Sequence, residues 1–244
     1  MGVWDLIVGI LGTGSVIDGR NLLSALDDSL FDMMAERLYV AVISDILDNM
    51  GFRNQVLQPG IMPAQPNTRQ VLVGRAATVL VGPQYEVVEH PYTNQIGAID
   101  ALMPGDVVVS GVGGMTNIAV WGELFSNAAR SRGARGFLTD GCHRDTRMIL
   151  DLGFPVFSRG PRPVDISGRG TVISVGRPIE VAGVGVHPGD IVFAEVDGIV
   201  IVPQDVAEET VSRAFEKVAK EDGAREDLRA GTLLSDVWSK YRVL

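Results

Sequence analysis

The sequence predicts a single α/β domain with a parallel strand–helix–strand core, followed by short strands and C-terminal helices. Two continuous apolar runs, at 107–111 and 136–140, are typical of strands buried in a parallel sheet. Between them, apolar residues recur at the spacing of one helical face: Trp121, Leu124, Phe125, Ala128 and Ala129. This interval has the length of a βαβ unit, whose right-handed crossover places the two strands side by side or one apart.

Helical and strand patterns also precede this core. Residues 28–51 carry two helical patterns, and Gly51 stands where a left-handed cap is expected to stop the second. The β-branched residues of 71–81 predict a strand, and 94–103 predict a helix.

The C-terminal third predicts short strands and then helix. Strand patterns occur at 156–157, 171–175, 179–184, 191–195 and 199–202. Asp197-Gly198 joins the last two and is a strong hairpin signal. Residues 205–244 are predicted to be largely helical, with one apolar face formed by Ala207, Val211, Phe215 and Val218.

Composition limits the classes of partner. The hydrophobic content of 46% is enough for one substantial core, and the net charge of −9 comes with no long basic run. We therefore expect no nucleic acid and no membrane as direct partners. Cys142 is the only cysteine, which excludes an intrachain disulfide and a multi-cysteine zinc site and suits a reducing, cytoplasmic location.

The apolar, glycine-rich N-terminal stretch has no basic flank and contains Asp5. We interpret it as neither a signal peptide nor a membrane anchor. Residues 1–20 are predicted to form an arm that is mobile or packs on a neighbour, and 21–244 a single domain.

A ligand crevice is predicted where the core strands end. The loops at 111–120 and 140–145 both follow carboxyl ends of parallel strands, which is where open α/β sheets bind ligands. Arg144 and Asp145 lie in the second loop, in what we expect to be a first helical turn, where their side chains diverge by roughly 100°. Arg144 suits a carboxylate or keto oxygen, and Asp145 suits Mg²⁺ or Mn²⁺. The alternative is a helix-end carboxylate and an arginine in a surface ion pair.

The helix after the first loop offers a second set of groups. Its first amides, those of Gly122, Glu123, Leu124 and Phe125, can cradle an anion. Glu123 is interpreted either as a partner of metal-bound water or as an ordinary acid at a helix start. The run Gly111-Val-Gly113-Gly114 is not GxGxxG and lacks a phosphate-loop lysine, so it does not favour a nucleotide site.

Two neighbours of the charged pair are open to interpretation. His143 is either an acid or base of the site or an ordinary surface residue of its loop. Cys142 has no evident base and is expected to be a packed small residue. No Gly-x-Ser-x-Gly motif occurs, which disfavours a serine hydrolase.

Several of these segments, in order, resemble the class II pyruvate aldolases typified by 4-hydroxy-4-methyl-2-oxoglutarate aldolase. The same family contains the regulator of ribonuclease activity A, and many members are labelled demethylmenaquinone methyltransferases. The likeness covers about 38–231, and its specific motifs are Gly122-Glu-Leu-Phe and Asp140-Gly141-x-x-Arg144-Asp145.

The resemblance implies a fold, a site and an activity. The fold is a β/β/α swivelling-type (RraA-like) single domain that forms homotrimers or homohexamers. Arg144 would hold the pyruvoyl oxygen, Asp145 would bind Mg²⁺ or another divalent metal, and Glu123 and a neighbouring subunit's acid, best matched by Glu221, would act through water. The implied activity is cleavage of a 4-hydroxy-2-oxo acid to pyruvate, with oxaloacetate decarboxylation as a second activity. The alternative is a non-enzymatic regulator that binds a protein such as a ribonuclease.

Overall fold

The computed structural model describes residues 28–65 and 69–243. The predicted arm at 1–20 lies outside these ranges. The helices are α1 Asp28–Arg37, α2 Val40–Asn49, α3 Thr93–Asp100, α4 Glu123–Ser131, α5 Thr146–Leu152, α6 Ala207–Arg229 and α7 Leu234–Tyr241. The strands are β1 Met62–Pro63, β2 Leu72–Pro83, β3 Asp106–Gly111, β4 Ala119–Trp121, β5 Gly136–Thr139, β6 Cys142–His143, β7 Val156–Ser158, β8 Gly170–Val175, β9 Ile179–Val181, β10 Val184–Val186, β11 Ile191–Glu195 and β12 Gly198–Val202.

A mixed sheet organises the domain, in the order β1-β7-β5-β3-β2-β11-β12. Strands β2, β3, β5 and β7 are parallel, and β3 lies directly beside β5 with Val109 opposite Leu138. The predicted parallel core is therefore confirmed. Strand β2 is long enough to pair with β11 near its start and with β8 near its end. Hydrogen bonding between β11 and β12 confirms the hairpin at Asp197-Gly198.

Helices cover the sheet in two layers. Helices α1, α2 and α6 pack with β11 and β12 in one apolar cluster, and α3, α4 and α5 pack with β3, β5 and β7 in another. The predicted apolar face of α6 is buried in the first cluster at all four positions, Ala207, Val211, Phe215 and Val218. Among the described residues, no helix has the length and apolar content needed to cross a bilayer.

Two predicted elements differ in the structure. The single strand expected at 179–184 is the hairpin β9–β10, which turns at Ala182 and Gly183 with φ of 45° and 84°. An alanine at such a position is unusual, so the turn carries no familiar signal. The apolar helical face predicted from Trp121 onward is also wrong in part. Trp121 belongs to strand β4 and not to the helix. Within α4, Leu124 is 78% exposed, whereas Ser126 is buried.

Glycine 51 behaves as its position predicts. It follows α2 with φ of 91°, a backbone angle that glycine adopts at little cost. The amide of Phe52 then bonds the carbonyl of Leu47 across this turn at 2.8 Å. The predicted left-handed stop of the second helix is confirmed.

Replacing the buried Ile191 by alanine should destabilise the domain strongly. Its side chain is fully buried in the first cluster, so Ile191→Ala is expected to lower the free energy of unfolding by about 2–5 kcal/mol. The same change at Ile173, which is 59% exposed, should cost less than about 1 kcal/mol. Urea denaturation of both variants measures the difference, and equal losses would contradict the assigned burial.

Candidate functional site

Three loops leave the carboxyl ends of the parallel strands β3, β5 and β7 at one edge of the sheet. Asp140, directly after β5, is 3% exposed and joins two of these loops. Its carboxylate accepts hydrogen bonds from the amides of Val112 at 2.8 Å and Gly114 at 3.0 Å. The predicted convergence of the two loops is therefore confirmed. The sequence motif contains Asp140 but does not predict that its side chain connects the loops.

A short parallel pairing of β4 with β6 aligns the charged turn with the start of α4. Beyond it, the amide of Arg144 donates to the carbonyl of Trp121 at 2.8 Å. The Trp121 ring is stacked on Phe137 with centroids 4.0 Å apart, and its indole N–H donates to Ser126 Oγ at 2.8 Å. The turn is thus held against a rigid part of the core.

Arg144 and Asp145 meet at the start of α4. Asp145 precedes α5 and has a left-handed backbone, with φ 60° and ψ 33°, which aspartate tolerates better than most residues. Its Oδ2 accepts the Glu123 amide at 3.2 Å and lies 3.8 Å from Arg144 Nε. The expectation that both residues lie in a first helical turn and point apart is therefore wrong, because Asp145 bends the chain before the helix begins.

Gly122 makes this meeting possible. A Cβ at this position would lie 2.6 Å from Asp145 Oδ2 and 3.2 Å from Arg144 Cγ. The backbone of Gly122 is extended, with φ −156°, so its requirement is space rather than an unusual angle. Only glycine lets both side chains lie against the helix start.

The first amides of α4 differ in their partners. The Glu123 amide binds Asp145, whereas no described group accepts from the amides of Leu124 and Phe125. The first helical bond is that of Ser126 to the Gly122 carbonyl, at 3.1 Å. The side chains of these two residues are apolar: Leu124 is exposed, and the Phe125 ring lies 5.7 Å from that of Trp121. Only the backbone amides of the two residues can therefore donate hydrogen bonds to an anion.

The carboxylates of the two predicted glutamates have partners other than Asp145 in the described chain. Glu123 accepts a hydrogen bond from the side-chain amide of Asn127, one turn along α4. Glu221 lies on α6, in the other helical layer, and pairs with Arg225 at 2.7 Å and Lys217 at 3.9 Å. Burial raises its pKa, partly offset by the charge of Arg225. Their roles through water, and that of Glu221 from a neighbouring subunit, stay predictions.

Asp165 and Tyr92 complete the surroundings of Arg144. Arg144 Nη1 lies 3.1 Å from Asp165 Oδ1, and the Tyr92 hydroxyl donates to Asp165 Oδ2 at 2.5 Å. Burial acts to raise the pKa of Asp165, but the Tyr92 bond and the Arg144 charge outweigh it, so this pKa lies below its usual value. Neither residue was predicted from the sequence: Asp165 lies in the third loop, after β7, and Tyr92 directly precedes α3.

An open pocket of about 400 Å³ lies over the charged pair. It is lined by Arg144, Asp145, Thr146, Pro161, Arg162 and Pro163. Arg162 was also missed, although the strand predicted at 156–157 implied that the chain after it enters this edge. The pocket therefore holds two guanidinium groups and one carboxylate.

His143 and Cys142 are buried supports. His143 is 1% exposed, with Nδ1 2.7 Å from Ser158 Oγ and Nε2 2.9 Å from Thr146 Oγ1. The surface interpretation of His143 is wrong, and burial lowers its pKa, so the ring is neutral at pH 7. Cys142 is buried, which confirms it as a packed residue, and burial raises the pKa of its thiol.

The donor set fits one kind of metal. The described residues contain no group of three or more His, Cys, Asp or Glu side chains that could hold an ion. A zinc site enclosed by protein ligands therefore does not fit these residues. Mg²⁺ commonly uses one or two carboxylates, water and oxygens of the substrate, and Asp145 with its 33% exposed side chain fits that pattern.

Replacing Gly122 by alanine should damage the site more than the fold. The new methyl group would displace the Asp145 carboxylate from the Glu123 amide, so we expect at least a tenfold loss of kcat/KM in an assay of the pyruvate-releasing activity that the sequence resemblance implies. Gly97→Ala is the matched control, because Gly97 lies in α3 with nothing within 4 Å of the added carbon. Full activity of Gly122→Ala would contradict the close approach.

Replacing Tyr92 by phenylalanine should raise the pKa of Asp165. A carboxylate whose pKa is depressed in the folded state stabilises the fold above its ordinary pKa and loses that effect as the pH falls through the folded value. Tyr92→Phe should therefore cost about 1–2 kcal/mol at pH 7 and progressively less below about pH 4. Urea denaturation across pH measures this, and Tyr85→Phe, at a site 93% exposed, should show no such trend.

Comparisons with known proteins find relatives of this chain. The RraA-like family model, described as Aldolase/RraA, matches residues 40–201. A Halalkalibacterium halodurans protein named "Putative 4-hydroxy-4-methyl-2-oxoglutarate aldolase" is 32% identical over 184 residues, covering 75% of this chain and 81% of that protein.

Two solved structures share the fold. An uncharacterized protein from Pseudomonas syringae pv. tomato is 31% identical with a TM-score of 0.72, over 86% of this chain and 96% of the other. Streptomyces coelicolor RraAS2, described as an unusual member of the RNase ES inhibitor RraA protein family, is 27% identical with a TM-score of 0.73, over 82% and 98%. The family model spans more than half of the chain, and the protein therefore belongs to the RraA-like (Aldolase/RraA) family.

Proposed function

We propose that this protein is a divalent-metal-dependent lyase that cleaves a 4-hydroxy-2-oxo acid, of the 4-hydroxy-4-methyl-2-oxoglutarate type, to pyruvate and a second carbonyl compound. The observation that carries the proposal is the meeting of Arg144 and Asp145 in one open pocket, with Asp145 bound to the start of α4, where the amides of Leu124 and Phe125 have no partner among the described residues. The family and the name of the Halalkalibacterium halodurans relative support it.

Arg144 and the amides would bind the pyruvoyl half of the substrate. Asp165 and Asp145 orient the guanidinium, which has five N–H donors and so keeps some for the substrate's carboxylate or keto oxygen. The amides of Leu124 and Phe125, at the positive end of α4, suit a further negative oxygen.

Asp145 would hold the metal, Mg²⁺ or Mn²⁺, and Glu123 and a neighbouring subunit's Glu221 would contact it through water. When bound, the metal supplies Lewis acidity to the keto group. The protein would act in the cytoplasm. It would form a homotrimer or homohexamer, since Glu221 has to come from another copy of the chain.

The reaction breaks the bond between C3 and C4 after the C4 hydroxyl loses its proton. The electron pair of that bond passes to the pyruvoyl half, which becomes the enolate of pyruvate. Arg144 and the helix amides stabilise the negative charge as it develops on oxygen, a type of effect worth about 3–4 kcal/mol per donor in well-studied enzymes. Loss of carbon dioxide from oxaloacetate gives the same enolate, so decarboxylation is the proposed second activity.

A non-enzymatic regulator is the second candidate, favoured by the likeness to the Streptomyces coelicolor protein and by the net charge of −9, which suits a basic partner. The two candidates differ in their use of Arg144. Capture of a ribonuclease that survives Arg144→Ala, together with no turnover of any 2-oxo acid, would favour the regulator.

Removing the charge of Asp145 tests the lyase. With Mg²⁺ and 4-hydroxy-4-methyl-2-oxoglutarate, Asp145→Asn should lower kcat/KM by about a hundredfold or more, because a neutral amide is a poor ligand for a hard cation. Pyruvate release is measured with a coupled assay, and the activity should disappear on chelation and return with Mg²⁺.

Asp151→Asn provides the matched control, since Asp151 is exposed on α5, close in sequence but outside the pocket lining. It should retain wild-type rates. Equal rates for wild type and Asp145→Asn would refute the metal role of Asp145.

A further inference from the structure

Arg162 is a second guanidinium in the pocket to which the proposed reaction gives no role. It lines the pocket beside Arg144 and Asp145, and it comes from the loop after β7 rather than from the charged turn. Its amide donates to the carbonyl of His143 at 2.7 Å, which ties this loop to the turn.

The backbone of Arg162 is fixed on both sides. Pro161 forms a parallel bridge with His143, and Pro163 follows Arg162 directly. A proline fixes its own φ and restricts the preceding residue to an extended backbone. The Cα of Arg162 is therefore placed before any ligand arrives, and ligand binding has to order only the side chain.

The charge of Arg162 is not neutralised by the described protein. Its side chain is exposed, and no described carboxylate lies within 4.0 Å, whereas Arg144 is paired with Asp165. Together with Arg159 it opposes the effect of burial on the Cys142 thiol, whose pKa is raised on balance. Arg162 thus adds a positive charge without a described carboxylate partner to the lining of the pocket, in a chain of net charge −9.

We propose that Arg162 binds the second carboxylate of the substrate, so that the site prefers dicarboxylic 4-hydroxy-2-oxo acids to those with an uncharged tail. This inference rests on the proposed lyase function. Arg144 and the amides of α4 hold the pyruvoyl end, and Arg162, from another loop of the same pocket, holds the carboxylate at the far end. A guanidinium suits this task because it binds a carboxylate with two parallel hydrogen bonds.

A matched pair of substrates tests the preference. 4-Hydroxy-2-oxoglutarate and 4-hydroxy-2-oxopentanoate share the reacting atoms and differ in a terminal carboxylate against a methyl group. Arg162→Met should lower kcat/KM for the first by about 10–100-fold, mainly through KM, and change that for the second by less than about twofold. Arg162→Lys should restore part of the loss. Activity on the uncharged-tail substrate also shows that each variant is folded.

Arg53→Met is the control for net charge, since Arg53 is exposed and outside the pocket lining. It should leave both substrates unaffected. An equal loss for both substrates in Arg162→Met, or no loss for either, overturns the proposed role of Arg162. Turnover by the wild-type protein in the same assay would still support the lyase function.

Binding without turnover separates the two proposals. 2-Oxoglutarate and 2-oxopentanoate lack the C4 hydroxyl and cannot undergo the cleavage, and calorimetry gives the affinity of each. Tighter binding of 2-oxoglutarate that is lost in Arg162→Met supports the carboxylate site even if no 4-hydroxy-2-oxo acid is cleaved. Equal affinities in wild type overturn it.

Discussion

The contact of Gly122 with Arg144 and Asp145 is the constraint on which the candidate site depends. Because Gly122 has no side chain, the Asp145 carboxylate reaches the Glu123 amide and the arginine lies across the helix start. The left-handed backbone of Asp145 completes this approach, and the short pairing of β4 with β6 holds the two segments together. Asp145 and Arg144 thereby lie next to the first amides of α4, although the charged pair and the helix belong to different segments of the chain.

Electrostatics in this pocket act on orientation more than on stability. Arg144 pairs with Asp165 at 3.1 Å, but both side chains are about one-third exposed, and such pairs contribute only about 0–1 kcal/mol. What the pair does is fix the guanidinium, since Asp165 is itself held by Tyr92. The remaining N–H groups then face the pocket without a large entropy loss on binding, which is the condition for tight anion recognition.

The sequence predicted the parts of the site that follow from strand and helix order. Apolar runs and one crossover rule were enough to place Arg144, Asp145 and the first amides of α4 at one edge. The predicted orientation of the Arg144 and Asp145 side chains was wrong, because their actual orientation depends on the positive φ angle of Asp145, which no sequence pattern encodes. Asp165 and Tyr92 are 73 residues apart and meet only through tertiary packing, so local reasoning had no means of joining them.

The groups around the pocket also limit where the C4 proton can go. Both ring nitrogens of His143 are bound to hydroxyl groups, and burial lowers the pKa of the ring, so His143 is a poor proton acceptor. Asp165 has a lowered pKa and Tyr92 a raised one, because each stabilises the present protonation state of the other. A group that accepts protons near neutral pH needs a pKa close to neutrality. Under the proposed mechanism, the transfer falls to water beside Asp145, or to an acid from a neighbouring copy such as Glu221, whose burial already raises its pKa.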